Sequence, residues 1–93
     1  MATGFLVHAA EDSVGVAITD LSSSERVEGI YQHGGSHPAI EVSDTVPLGH
    51  KIALADIPAG QRVVKYGTAI GVATRDIHAG QHVHTHNLRG ERW

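Results

Sequence analysis

Three imidazoles stand at every second position in the stretch GQHVHTHNL: His82, His84 and His86. In an extended strand, alternate residues project to one side about 6.6 Å apart, so the three form a row while Val83, Thr85 and Asn87 turn the other way. An H-x-H pair has enough side-chain freedom to converge on one metal ion, and a third ring completes or neighbours the site. Imidazole suits zinc, iron, manganese or nickel, and three nitrogen ligands with open positions make a Lewis acid able to polarise a hydroxy acid. The same spacing also fits a polar strand face turned to solvent or to a partner.

Two further short motifs carry chemistry. In GHK, His50 can act as general base or metal ligand; Lys51 there, and Lys65 in KYG, are cations able to hold a carboxylate or stabilise an enolate. Their plainer reading is as edge residues that blunt strand pairing, with Tyr66 as a core aromatic whose hydroxyl lies at the rim. His8 follows an apolar run and precedes an acidic turn, a position suited to a second metal or substrate contact, with Asp12 as the partner that orients it. His33, His37 and His78 fall in turn segments and are expected to face solvent.

These side chains must be positioned by short elements. Apolar runs such as Phe5-Leu6-Val7, Val14 to Ile18, Ile40 to Val42 and Ala69 to Ala73 are too short for helices and are punctuated by glycine and proline, which predicts strands joined by tight turns and little helix. An internal repeat is visible when residue n is set against residue n+20: ADIPAGQRVV (55–64) matches RDIHAGQHVH (75–84). Each copy reads as a buried Ile, a turn with a glycine at positive φ, and a strand re-entering the core at Val63 or Val83. Asp56 and Asp76 are expected to accept backbone N–H groups inside those turns.

Composition bounds the rest. A chain of 93 residues supports one small core, and 10 acidic against 7 basic residues (net −3) offers no electrostatic reason for a nucleic-acid or anionic membrane partner. Cysteine is absent, which excludes disulfides and thiolate metal sites. The first residues have neither a basic leader nor a long apolar stretch, so neither a secretory signal nor a membrane span is expected, and a cytoplasmic setting is the default. Arg89, Arg92 and Trp93 have the residue types of a partner anchor.

The string from residue 46 to 88 carries six motifs in order: GHK-IAL, D-I-x-x-G, V-x-KYG, IG-x-A, D-I-x-x-G and HVH-x-HNL. In this it resembles the SAF domain of the altronate and galactarate dehydratase family, and residues 5–18 resemble the same domain's opening strand-turn-strand, with an Asp before V-x-V-A. The resemblance implies a small β-clip domain over 1–93, with 18–45 a variable surface excursion, 46–88 the family core and 89–93 a tail. It implies a small subunit, inactive alone, that works with a large dehydratase-type subunit on a small hydroxy-acid substrate; self-association is compatible with it. The main expectation is metal-dependent dehydration of a sugar acid to a 2-keto-3-deoxy acid by a hydro-lyase. The alternatives are the small subunit of a (2R)-sulfolactate sulfo-lyase releasing sulfite, or a non-catalytic SAF binding module. The implied site has His82, His84 and His86 on a divalent metal (Fe2+ or Mn2+ first, Zn2+ next), His50 and Lys65 as catalytic groups, and Lys51, Tyr66, Asn87, His8 and Asp12 on the substrate.

Overall fold

A computed structural model describes residues 2–90. Among them the chain forms nine strands and no helix, as the short apolar runs require. They are β1 (Thr3–Val7), β2 (Val14–Ala17), β3 (Arg26–Tyr31), β4 (Ser36–Glu41), β5 (Lys51–Ala53), β6 (Arg62–Lys65), β7 (Thr68–Ala73), β8 (His82–Val83) and β9 (Leu88–Gly90). One sheet has the order β4-β3-β1-β2-β5-β8, and a second has the order β6-β7-β9. All pairings are antiparallel except β1 with β3, which run parallel. No helix among the described residues is long and apolar enough to cross a membrane.

The larger sheet curls around Phe5, the chain's only phenylalanine, which is fully buried with Val7, Leu21, Val27, Val42, Val46 and Ile52. Gly29 on β3 has no side chain because the Phe5 ring occupies the space a Cβ would need. Residues 18–45, expected as a surface excursion, are instead part of this core. They supply β3 and β4 and the buried side chains of Leu21, Val27, Ile40 and Val42. The parallel β1–β3 pairing explains the difference: it joins segments with no local sequence signal between them, and the polar loop hides the apolar positions that follow.

The second core is built by the repeat. Ala53, Ala73, Ile57, Ile77, Val63 and Val83, all buried, are three pairs of residues 20 positions apart, joined by Val14. Ile57 and Ile77 exchange both backbone hydrogen bonds (2.7 and 2.8 Å). Around them the bonds come in matching pairs: Gly60 N–H to Ala73 O and Gly80 N–H to Ala53 O, then Ala73 N–H to Gln61 O and Ala53 N–H to Gln81 O. The aspartates follow the same rule and differ from the sequence expectation. Asp56 accepts the Ala79 N–H and Asp76 the Ala59 N–H, each at 2.9 Å, so each copy's carboxylate caps the other copy's turn. Local sequence cannot distinguish a cap within a turn from one exchanged between two turns.

Glu91 to Trp93 lie outside the described residues, and with them most of the expected anchor.

Because Ile57 and Ile77 have equivalent surroundings, truncating either should cost alike. Ile57→Ala and Ile77→Ala are each expected to lower unfolding free energy by about 2–5 kcal/mol, and Asp76→Ala by about 1 kcal/mol, read as shifts of the urea midpoint.

Candidate metal and substrate site

The pairing of β5 with β8 sets Ile52 opposite His82 and Lys51 opposite Val83. His50, immediately before β5, thereby meets the first histidine of β8: its Nδ1 lies 2.9 Å from His82 Nε2. Gly49 (φ +85°) occupies the third position of a tight turn closed by His50 N–H to Pro47 O, which sets His50 at the head of the strand. Beyond Val83 the backbone is no longer extended, so the three alternate histidines do not form a straight row. Residues 84–87 make a turn instead, organised by Asn87, which is only 3% exposed. Its Nδ2 donates to His82 O (2.9 Å) and its Oδ1 accepts the His84 N–H (3.0 Å). The turn swings His84 toward His50, with ring centroids 4.8 Å apart.

The result is a cluster of His50, His82 and His84 in which one nitrogen from each ring lies within 4.8 Å of the others. His86 stays beside it, its ring 5.4 Å from that of His82, and is outside the cluster. Partial burial, then the fields of His50, His86 and His84, hold His82 below the usual imidazole range, against an opposing contribution from Asp44. The neutral form, whose lone pair can bind a cation, is thereby favoured. Asp44 accepts the His82 backbone N–H (3.1 Å) and so fixes the residue from behind. Three clustered imidazoles, two of them with ring nitrogens 2.9 Å apart, fit a borderline divalent ion.

His84 also borders a pocket of about 380 Å³ lined by Lys51, Lys65, Tyr66, Ile70, Thr85, Leu88 and Gly90. Burial first, then the charge of Lys51, holds the Lys65 ammonium below the usual lysine range, partly offset by Asp12. Its Nζ sits 5.3 Å from the centre of the Tyr66 ring. Tyr66 is 59% exposed and has φ +57°, an uncommon conformation for a non-glycine residue that something must enforce. Asp12 does so: its two carboxylate oxygens accept N–H groups from Ala9 (3.2 Å), Tyr66 (3.0 Å) and Gly67 (2.9 Å). His8 stacks on Tyr66 at 3.9 Å, but its Nδ1 is bonded to Gln32 Oε1 (2.9 Å), so Gln32 and not Asp12 is its hydrogen-bond partner.

The structure therefore brings His50, His82, His84, Lys51, Lys65 and Tyr66 together around one region. Asn87 and Asp12 border that region from behind, with their polar atoms engaged by backbone. His33 and His78 are exposed as expected, whereas His37 is half-buried, edge-on to Phe5 at 5.4 Å. The sequence reading missed the pairing of His50 with His82 across two strands, and the repeat held the clue to it. In the other copy β6 pairs with β7, setting Arg62 opposite Val72; adding 20 to Arg62 and subtracting 20 from Val72 gives His82 opposite Ile52, two residues along the strand from His50.

Sequence comparison assigns the class: the profile of the altronate/galactarate dehydratase SAF domain spans residues 3–91, and the chain belongs to that family. Over its whole length, and the whole length of the relative, it is 35% identical to the (2R)-sulfolactate sulfo-lyase subunit alpha of Chromohalobacter salexigens. A second subunit alpha, from Paracoccus pantotrophus, is 48% identical over 52% of this chain and 72% of its own. The altronate dehydratase of Bacillus subtilis is 42% identical over 85% of this chain but only 15% of its own length. These proportions overturn the expectation of a sugar-acid dehydratase subunit. The dehydratase motifs reflect a shared domain, and the relative of matching size and extent is a sulfo-lyase subunit.

A divalent ion held by the cluster should be lost when one of its three imidazoles is removed. Co2+ titration followed by its visible absorption is expected to fail for His50→Ala and for His82→Ala, and to persist for His86→Ala. Asn87→Ala, which frees the turn carrying His84, should weaken binding by roughly 10–100-fold.

Proposed function

We propose that the chain is the small subunit of a two-component lyase that cleaves the carbon–sulfur bond of (2R)-sulfolactate and releases sulfite, acting only with a separate large subunit. The observation that carries this reading is the end-to-end match with a free-standing subunit alpha of that enzyme. The pocket supports it, since its two lysines and open side suit a small acid enclosed by a second chain.

In the elimination, a base removes the C2 proton of sulfolactate and the C–H electron pair becomes the C2–C3 double bond. The C3–S bond breaks with its pair leaving on sulfite, and the enol tautomerises to pyruvate. His50, His82 and His84 would hold a divalent ion, Fe2+, Mn2+ or Zn2+, which when bound supplies electrophilic polarisation of the hydroxy-acid end. His50 is assigned the ligand role and not that of base, because its ring nitrogen already faces that of His82. The base then belongs to the large subunit. Asn87 fixes the His82–His84 geometry; Asp12 fixes Tyr66 and, through it, one wall of the pocket. The lysines hold the anionic substrate, and Ile70 and Leu88 keep water from that side.

Co-purified with its large subunit and supplied with divalent metal, the chain should release sulfite and pyruvate from (2R)-sulfolactate in equal amounts, measured by a thiol-exchange dye and by lactate dehydrogenase coupling. Neither chain alone should turn over, and an aldonic acid should yield no 2-keto-3-deoxy product. A complex that assembles and binds metal yet releases no sulfite would sink the reading.

A further inference from the structure

Two positive charges converge on one small pocket without a counter-ion. Among the described residues, neither Lys51 nor Lys65 has a carboxylate within ion-pair distance. The acidic group whose field reaches Lys65 is that of Asp12, and both of its oxygens are already committed to backbone N–H groups. Two half-buried ammonium groups lining one pocket are unfavourable unless it is completed by negative charge. A single carboxylate would compensate one of them; the pair calls for an anion that carries, or develops, two charges.

We propose that Lys51 and Lys65 form the subsite for the departing sulfo group, with the hydroxy-acid end of the substrate turned toward the histidine cluster. This rests on the sulfo-lyase reading and assigns orientation within it. His84 is the hinge of the argument, because it belongs to the cluster and lines the lysine pocket, so the two ends of one three-carbon acid can engage both. The chemistry favours this orientation over the reverse. The sulfonate carries one negative charge in the substrate, and as the C3–S bond breaks the electron pair moves onto sulfur, giving sulfite with two. One lysine is compensated in the ground state and the second only in the transition state, which is the differential binding that raises turnover. Six ammonium N–H donors also suit three tetrahedrally arranged oxygens, where a planar carboxylate would leave several unused. The apolar walls at Ile70 and Leu88 strengthen the interaction by lowering the local dielectric.

The test uses the assembled complex with wild-type, Lys51→Met, Lys65→Met and Lys65→Arg small subunits, their assembly confirmed by sizing. Each Met variant should lower kcat for sulfite release by about 100-fold, and Lys65→Arg should recover much of that loss. A purely structural role would not move the second readout. Product inhibition by sulfite should weaken by more than about tenfold in the Met variants, while inhibition by lactate, which has the hydroxy-acid end and no sulfo group, stays at the wild-type value. Unchanged sulfite inhibition, or a parallel loss for lactate, overturns the assignment while leaving the lyase reading intact. A wild-type complex that releases no sulfite removes the reading itself, and this inference with it. If Lys65→Met fails to assemble, Lys51→Met and Lys65→Arg decide the matter by the same two inhibition constants.

Discussion

The reciprocal lock between the two D-I-x-A-G-Q turns is the constraint on which the site half of the molecule depends. Ile57 and Ile77 exchange backbone bonds at its centre, and each turn's aspartate caps the other turn. Such an arrangement leaves little freedom. Moving one turn would strand two buried Ile side chains and several backbone donors at once, and buried donors without partners are costly. The strands leaving the lock are fixed with it: β5 against β8 on one side, β7 against β6 on the other, in matching registers. His50 and His82 meet because of that register, which pairs Lys51 of GHK with Val83 of HVH.

The lock is nearly symmetric, yet only one side carries the clustered histidines. At the positions 20 residues away from His50, His82 and His84 stand Ile70, Arg62 and Val64. The turns that follow the two equivalent strands are also held differently. After β8 the turn is held by its own Asn87, whose counterpart 20 residues earlier is Gly67; after β6 the turn at Tyr66-Gly67 is held from a distance by Asp12 on the β1–β2 loop. Asp12 ties the first strand pair to the second sheet, as does Ser13, which accepts the Val64 N–H through its hydroxyl and donates its own N–H to Val64 O. The pocket therefore lies between the halves, with Lys51 and His84 from one side and Lys65, Tyr66 and Ile70 from the other.

How much of this was legible depended on the range of each interaction. Short apolar runs with glycine turns announce an all-β chain, because strand and turn chemistry are local. The repeat announced two equivalent turns, and Asp56 and Asp76 did prove to be turn caps, though exchanged. The role of residues 18–45 was hidden because Val27 and Ile40 are buried through the pairings β1–β3 and β3–β4, and the parallel β1–β3 contact has no signature in the intervening loop. The histidine cluster was half legible. His82 and His84 follow from H-x-H, whereas His86 in place of His50 follows from assuming that the strand continues, which Asn87 prevents by bonding both His82 O and the His84 N–H. The substrate was least legible, since the motifs belong to a domain shared by proteins whose names state different reactions.

The open side of the pocket is compatible with a domain that matches a whole subunit in one relative and about 15% of a longer dehydratase chain in another. A pair of opposite charges 4 Å apart is worth about 1 kcal/mol in water and about 4 kcal/mol at the dielectric of a protein surface. Two lysines and a half-exposed imidazole cluster on an uncovered face would therefore hold a small acid weakly and discriminate little between acids. Covered by a second surface, the same groups lose competing water, their fields strengthen, and charge developing on a leaving group is stabilised by groups already in place. Whether the cover is a linked domain or a second chain is immaterial to that gain. What the small domain must supply is rigidity: cations and imidazoles held in position before the substrate arrives, which here is the work of Asp12, Asn87 and the lock behind them.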